Sequence, residues 1–210
     1  MAVGSAATTV TNINEVHTGW HTEGGVSGAD FIITKTRSYD HADVVVYLTV
    51  SANGDQASQG SNGMGVTSGG DNFQVEAGES FTVSSSYAVN LTSSNATYLS
   101  DNIQIDLTGF QYRTSSWGGG VATFDYELAD GTTGSGATTD GTWAGRAVVS
   151  FADSTSSFTV DNLTADRRAL LSAVSFDLTG DLSLDVVPEP SSVGLLALSG
   201  VLFLTRRGRR

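Results

Sequence analysis

The chain has 210 residues, with 22 acidic side chains against 10 basic ones, a formal net charge of −12 at pH 7, and no cysteine. That charge repels polyanions and excludes nucleic acid as a partner, while the absence of thiols excludes disulfides, zinc–thiolate centres and cysteine nucleophiles. Four of the basic groups are arginines in the last five positions, so the chain ahead of them is more acidic still; its length suits one domain with a sizeable core.

Near the N-terminus, Glu15, His17 and His21 fall on one face if the segment is extended, a candidate transition-metal set. The plainer reading is an exposed edge strand. In Tyr39-Asp40-His41-Ala42-Asp43 a carboxylate could polarise His41 as a general base, or His41 could simply be a turn residue. Val44 to Val50 is a β-branched run. Alternation then recurs at Phe73/Val75, Phe81/Val83, Ile103/Ile105/Leu107, Phe124/Tyr126/Leu128, Phe158/Val160, Val174/Phe176/Leu178 and Leu182/Leu184/Val186. Clusters of Gly, Asn, Asp and Ser separate these runs, and no segment before the tail carries a 3.6-residue apolar period. The pattern predicts an all-β chain, an antiparallel two-sheet sandwich of jelly-roll or Greek-key type, followed by a short C-terminal hydrophobic helix.

Between Gly63 and Val83, glycines allow a tight backbone while Asp71, Asn72, Glu76 and Glu79 offer hard oxygen atoms, the donors that calcium prefers. The alternative is a polar turn in which Glu79 satisfies backbone amides. Asp106-Leu-Thr-Gly109 and Asp177-Leu-Thr-Gly180 echo one another and read as equivalent strand exits. Trp117, beside three glycines, and Trp143, in Gly141-Thr-Trp-Ala-Gly145, are candidate sugar-stacking platforms, with core packing as the alternative. Asp125 and Glu127 point to the same side of one strand, as a solvated face or as the acids of a glycosidase. Gly131 to Gly141 reads as a mobile hairpin loop. Asn90, Asn95 and Asn162 each open an Asn-x-Thr triplet, matches expected by chance in so polar a chain. No Gly-x-Ser-x-Gly elbow, His-Glu-x-x-His pair or Walker loop occurs, so no catalytic residue is assigned.

The tail runs Pro188-Glu189-Pro190, then an apolar stretch from Val193 to Leu204, then Arg206, Arg207, Arg209 and Arg210. The stretch would reach about 18 Å as a helix, against a hydrocarbon core of about 30 Å, which suits a transient anchor better than a permanent span. Arginines are costly to translocate and should stay cytoplasmic, leaving the N-terminal bulk outside. The prolines, the only two in the chain, disfavour helix at the residues before them and separate domain from anchor.

This order closely resembles the PEP-CTERM sorting domain of Gram-negative bacteria, in which Pro-Glu-Pro precedes a short hydrophobic helix and an arginine cluster. The resemblance covers about the last tenth of the chain. It implies an inner-membrane precursor, handling by an exosortase-like membrane transpeptidase or protease, and delivery to the cell surface or medium, for proteins often encoded alongside exopolysaccharide production. The stretch Gly-Val, Asp71-Asn72 and Gly78-Glu79-Ser-Phe is also similar to jelly-roll-like domains of other PEP-CTERM proteins. Such proteins carry an N-terminal signal, yet Met1 to Gly19 has neither a basic start nor about 7–15 consecutive apolar residues. A start codon assigned too late, or a trimmed N-terminus, is expected to account for this, with Ala2 to Thr9 close to the mature end.

The expected organisation is an exported β-domain over residues 1–186 and a sorting signal over 187–210. The expected role is that of a non-enzymatic structural or adhesive component of an exopolysaccharide matrix. A carbohydrate-binding module with structural calcium is the second reading, and a secreted glycoside hydrolase the third.

Overall fold

A computed structural model describes residues 7–20, 24–27, 30–53, 56–60, 63–68, 71–114, 120–139, 145–163 and 169–187. These form strands β1 (Ala7–Trp20), β2 (Gly24–Ser27), β3 (Asp30–Tyr39), β4 (Ala42–Ala52), β5 (Gln56–Gly60), β6 (Gly63–Ser68), β7 (Asp71–Gln74) and β8 (Ser80–Leu91). They continue through β9 (Ala96–Asp101), β10 (Gln104–Thr114), β11 (Thr123–Leu128), β12 (Thr133–Ala137), β13 (Arg146–Thr155), β14 (Ser157–Asn162) and β15 (Ala169–Val186). All pairings are antiparallel. One seven-stranded sheet has the order β12-β11-β14-β8-β4-β3-β2, and the other, eight-stranded, is built on β15.

The all-β expectation therefore holds, and the chain passes repeatedly from one sheet to the other. The expected C-terminal helix lies outside the described residues. The β-branched run makes β4, where Val44, Val46, Leu48 and Val50 are buried and Tyr47 and Thr49 are half-buried on the opposite face. Alternation of this kind places one side of each sheet in a common core.

β15 organises its sheet. Along one edge it pairs with β10, from Gln104↔Thr179 to Thr114↔Ala169, and then with β9, from Asp101↔Leu182 to Ala96↔Val186. Along the other it pairs with β1, from Ala7↔Val186 to Trp20↔Val174, and touches β6 at Leu171↔Met64. An 18-residue strand spans about 60 Å at roughly 3.3 Å per residue.

Two expectations are corrected. The Leu-Thr-Gly segments are not strand exits. β10 runs through Gly109 with a register shift between Leu107 and Gly109, and the position is glycine because a Cβ there would collide with the Val149 carbonyl oxygen. β15 runs through Gly180 at φ +123, and a Cβ there would come within 2.7 Å of the Asn102 carbonyl oxygen. Nor is Gly131–Gly141 only a loop, since it contains β12, paired with β11 from Thr123↔Ala137 to Glu127↔Thr133. Its small residues have a packing cause: the Tyr126 ring occupies the space a side chain on Gly134 would fill, and the Phe124 ring does so at Gly136. Aromatic rings thus cover the glycines of a neighbouring strand and take over the contacts that their missing side chains leave.

The core changes character along β15. Around Val174 it is aromatic. The Phe110 ring stacks on Phe158 at a centroid distance of 5.0 Å and meets Phe124 and Tyr126 edge-on, each at 5.7 Å, so it joins both sheets. Towards Val186 the core is aliphatic, with Ile13, Leu178, Leu182 and Leu184 at most 1 % exposed. There the sheets are also linked by a polar clamp: Tyr87 on β8 donates to one Asp101 carboxylate oxygen at 2.5 Å, and Tyr98 on β9 donates to the other at 2.8 Å. The hydrogen bond to Asp101, reinforced by partial burial, pushes the Tyr87 phenol from 10.0 up to about 12, and Asp101 also raises Tyr98.

Two outcomes follow from this packing. Phe110→Ala should cost about 3–5 kcal/mol in urea unfolding, whereas exposed Val148→Ala should stay within about 0.5 kcal/mol; equal midpoints would contradict the role given to Phe110. The folded state holds the Tyr87 proton more tightly than the unfolded chain. Its contribution is therefore complete below pH 10 and lost as pH rises towards about 12. The unfolding midpoint should fall across that window and fall less steeply in Tyr87→Phe, with buried Tyr112, raised by desolvation, accounting for part of the remaining slope. An unchanged slope in Tyr87→Phe would refute the clamp.

Candidate functional site

The end of β15 is where the fold meets the tail. Val187, one residue beyond the strand, donates its N–H to the Asn95 carbonyl at 2.9 Å and accepts at its own carbonyl from Asn95 Nδ2 at 2.9 Å. Two hydrogen bonds to one residue fix the direction in which the chain leaves. Asn95 is itself oriented by Ser93, whose hydroxyl bonds the Asn95 amide oxygen. Nearby, the Thr92 N–H donates to the His41 carbonyl at 2.9 Å, closing the β3–β4 turn against the β8–β9 connection. His41 sits in that turn at φ 71, a left-handed position, so the geometry supports its turn role.

A second feature lies on the outer face of the seven-stranded sheet. Asp125 and Glu127 project outward from β11 beside Ser135 and Thr133 of β12, and Asp161 of β14 stands directly opposite Asp125. These side chains line a depression of about 430 Å³. Cross-strand neighbours lie about 4.5–5.5 Å apart at Cβ, so three carboxylates and two hydroxyls share one open polar face. The row continues inward as Glu127, Thr159 and Thr82, with the two threonine hydroxyls 2.9 Å apart. Such a face offers acceptors and hydroxyls to a polyhydroxylated ligand.

The segment put forward for calcium divides. Asp71 and Asn72 lie on β7, and their side chains are outside the described residues. Glu76 and Glu79 flank a turn in which Glu79 Oε2 accepts the Glu76 N–H at 2.7 Å and the Glu79 N–H donates to the Glu76 carbonyl at 3.1 Å. One carboxylate oxygen of Glu79 is thus engaged in holding its own turn. Buried Asn162 ties the turn to β14, donating from Nδ2 to the Val75 carbonyl at 2.7 Å and accepting the Gly78 N–H at 2.9 Å. Among the described residues no three His, Cys, Asp or Glu side chains gather where they could hold one metal ion.

Glu15 and His17 lie on β1, opposite Leu178 and Phe176, but their side chains, like all of His21, fall outside the described residues. So do Trp117, Trp143, Pro188, Glu189, Pro190 and the arginines at 206, 207, 209 and 210. Of the Asn-x-Thr positions, Asn162 is 1 % exposed and hydrogen-bonded, and the Asn95 amide is engaged with Val187, so neither is open to modification in the folded domain. The residues that sequence reasoning missed are Asn95, Asp101, Tyr87 and Tyr98. Their partners lie 92, 14 and 3 positions away along the chain, and only the last separation is local.

Comparison with protein families finds the PEP-CTERM protein-sorting motif at residues 186–210. No curated protein matches the chain. The motif begins at Val186, the last residue of β15. A signal of this kind implies export, cell-surface sorting and processing by an exosortase, a membrane enzyme. The chain accordingly carries a PEP-CTERM protein-sorting motif at its C-terminal end, joined without a spacer to the strand at the centre of an antiparallel β-sheet.

Proposed function

We propose that this protein is a non-enzymatic structural or adhesive component of an exopolysaccharide matrix, delivered to the cell surface through its C-terminal signal. The observation that carries the reading is the continuity of β15 with the sorting motif at Val186. A domain through Val186 is the cargo, and the residues from Val187 are the address. In the precursor the apolar run Val193–Leu204 rests in the inner membrane, the terminal arginines stay cytoplasmic, and Pro188-Glu189-Pro190 is what the exosortase recognises. The net charge of −12 and the absence of disulfides suit a soluble cargo stabilised by its core alone.

The depression lined by Asp125, Glu127, Thr133, Ser135 and Asp161 favours a second reading, a carbohydrate-binding module, and it also names the surface through which a matrix protein would hold polysaccharide. Hydroxyl and carboxylate groups at fixed cross-strand spacing match the hydrogen-bonding edges of sugars, and their exposed position suits weak, repeated contacts along a polymer.

Replacing Pro188 and Pro190 together by Ala in the native host should leave an unprocessed chain in the membrane fraction, read by immunoblot after fractionation. Normal processing of that variant would remove the role given to the motif. Binding to exopolysaccharide purified from the same cells should fall at least about tenfold in Asp125→Ala/Asp161→Ala, equivalent to about 1.4 kcal/mol. Undiminished binding would place the contact elsewhere.

A further inference from the structure

The end of the domain that releases the tail carries a second property. Leu91, Tyr98, Leu99 and Val187 are 43–49 % exposed, and they lie at the end of the sandwich where the chain leaves β15. Tyr98 lies opposite Leu184, two residues from the end of β15, and Leu99 is the extra residue where the register jumps from Leu184↔Tyr98 to Ser183↔Ser100. A bulge of this kind leaves its residue unpaired and turned off the ladder. Leu91 closes β8 opposite Ala42, four positions before Asn95. Tyr98 has the amphipathic form found at bilayer interfaces, with an apolar ring and a hydroxyl bonded to Asp101.

We propose that in the membrane-held precursor this end of the sandwich rests on the bilayer surface, with Leu91, Tyr98, Leu99 and Val187 in the lipid interface. The inference depends on the anchoring of the Val193–Leu204 run proposed above. What selects lipid as the occupant is the length of chain between the two. From Val187 to Val193 is six residue steps, at most about 21 Å when fully extended, so an inserted tail leaves this end within reach of the headgroups. Asn95 holds Val187 from both sides, which keeps the tether from lengthening by unpeeling β15. A short tether gives an effective concentration in the millimolar range, enough to hold a patch of four side chains that would not stay bound by itself. Asp40 and Asp43 lie at the β3–β4 turn, beside the end of β8, and Asp101 and Asp185 lie on the paired ends of β9 and β15, so the charge at this end directs it to zwitterionic rather than anionic headgroups.

The chain has no cysteine, so single-cysteine variants carry one probe each. Leu99→Cys, Val148→Cys and Leu198→Cys, labelled with an environment-sensitive fluorophore, are compared as full chains in phosphatidylcholine bilayers containing shallow nitroxide quencher lipid. Val148 is exposed on β13 opposite Gln111, which pairs with Ala173, about 40 Å along β15 from its end. The expected result is loss of fluorescence at 198 and 99 and none at 148, with the loss at 99 reduced when phosphatidylglycerol replaces phosphatidylcholine at low salt. Quenching at 198 without quenching at 99 overturns the docking while leaving the anchoring intact. No quenching at 198 overturns the anchoring and the docking with it, and equal quenching at 99 and 148 overturns the end-on orientation.

Discussion

Everything in the eight-stranded sheet depends on backbone pairing to β15. A single 18-residue strand carries β10 and β9 end to end on one edge and β1 on the other, and its last residue is the first of the sorting motif. A long strand paired on both edges cannot fray without breaking two ladders together, so force or motion applied to the tail acts first on the final few pairs. Those pairs are the ones reinforced by side chains. Asn95 closes on Val187, and the Tyr87–Asp101–Tyr98 clamp ties the neighbouring strand to the opposite sheet.

The division of the core fits this arrangement. Aromatic residues fill the part far from the tail, where Phe110 bridges the sheets and rings cover the glycines of β12. Aliphatic residues fill the part near the tail, where polar clamps supply the cross-links that ring packing supplies elsewhere. With no disulfide available, hydrophobic burial and these few polar contacts at the sheet ends hold the domain together.

Much of the strand content was legible because a two-residue apolar period reports a half-buried strand directly. Val44–Val50 and Phe124/Tyr126/Leu128 both fell where they were expected. The errors came where a glycine had two meanings. Gly109 and Gly180 read as ends and proved to be points where a continuous strand bends past a neighbouring backbone, and Gly134 and Gly136 read as a loop and proved to be a strand roofed by Phe124 and Tyr126. A glycine's reason lies in what stands beside it in space, and one chain read in order does not show that. The same limit hid Asn95, which matched an acceptor triplet by letter but whose amide is committed to a residue 92 positions away. The presence of the sorting motif was legible because its parts are contiguous in the chain.

The central claim is that a folded β-domain is exported and relieved of an address that begins where its central strand ends. Intact-mass measurement of the protein recovered from the surface or medium of its own cells tests that most directly. The account predicts a species that keeps the domain through Val186 and has lost the apolar run and terminal arginines. A full-length mass, found freely dissolved in the cytosol, would contradict it.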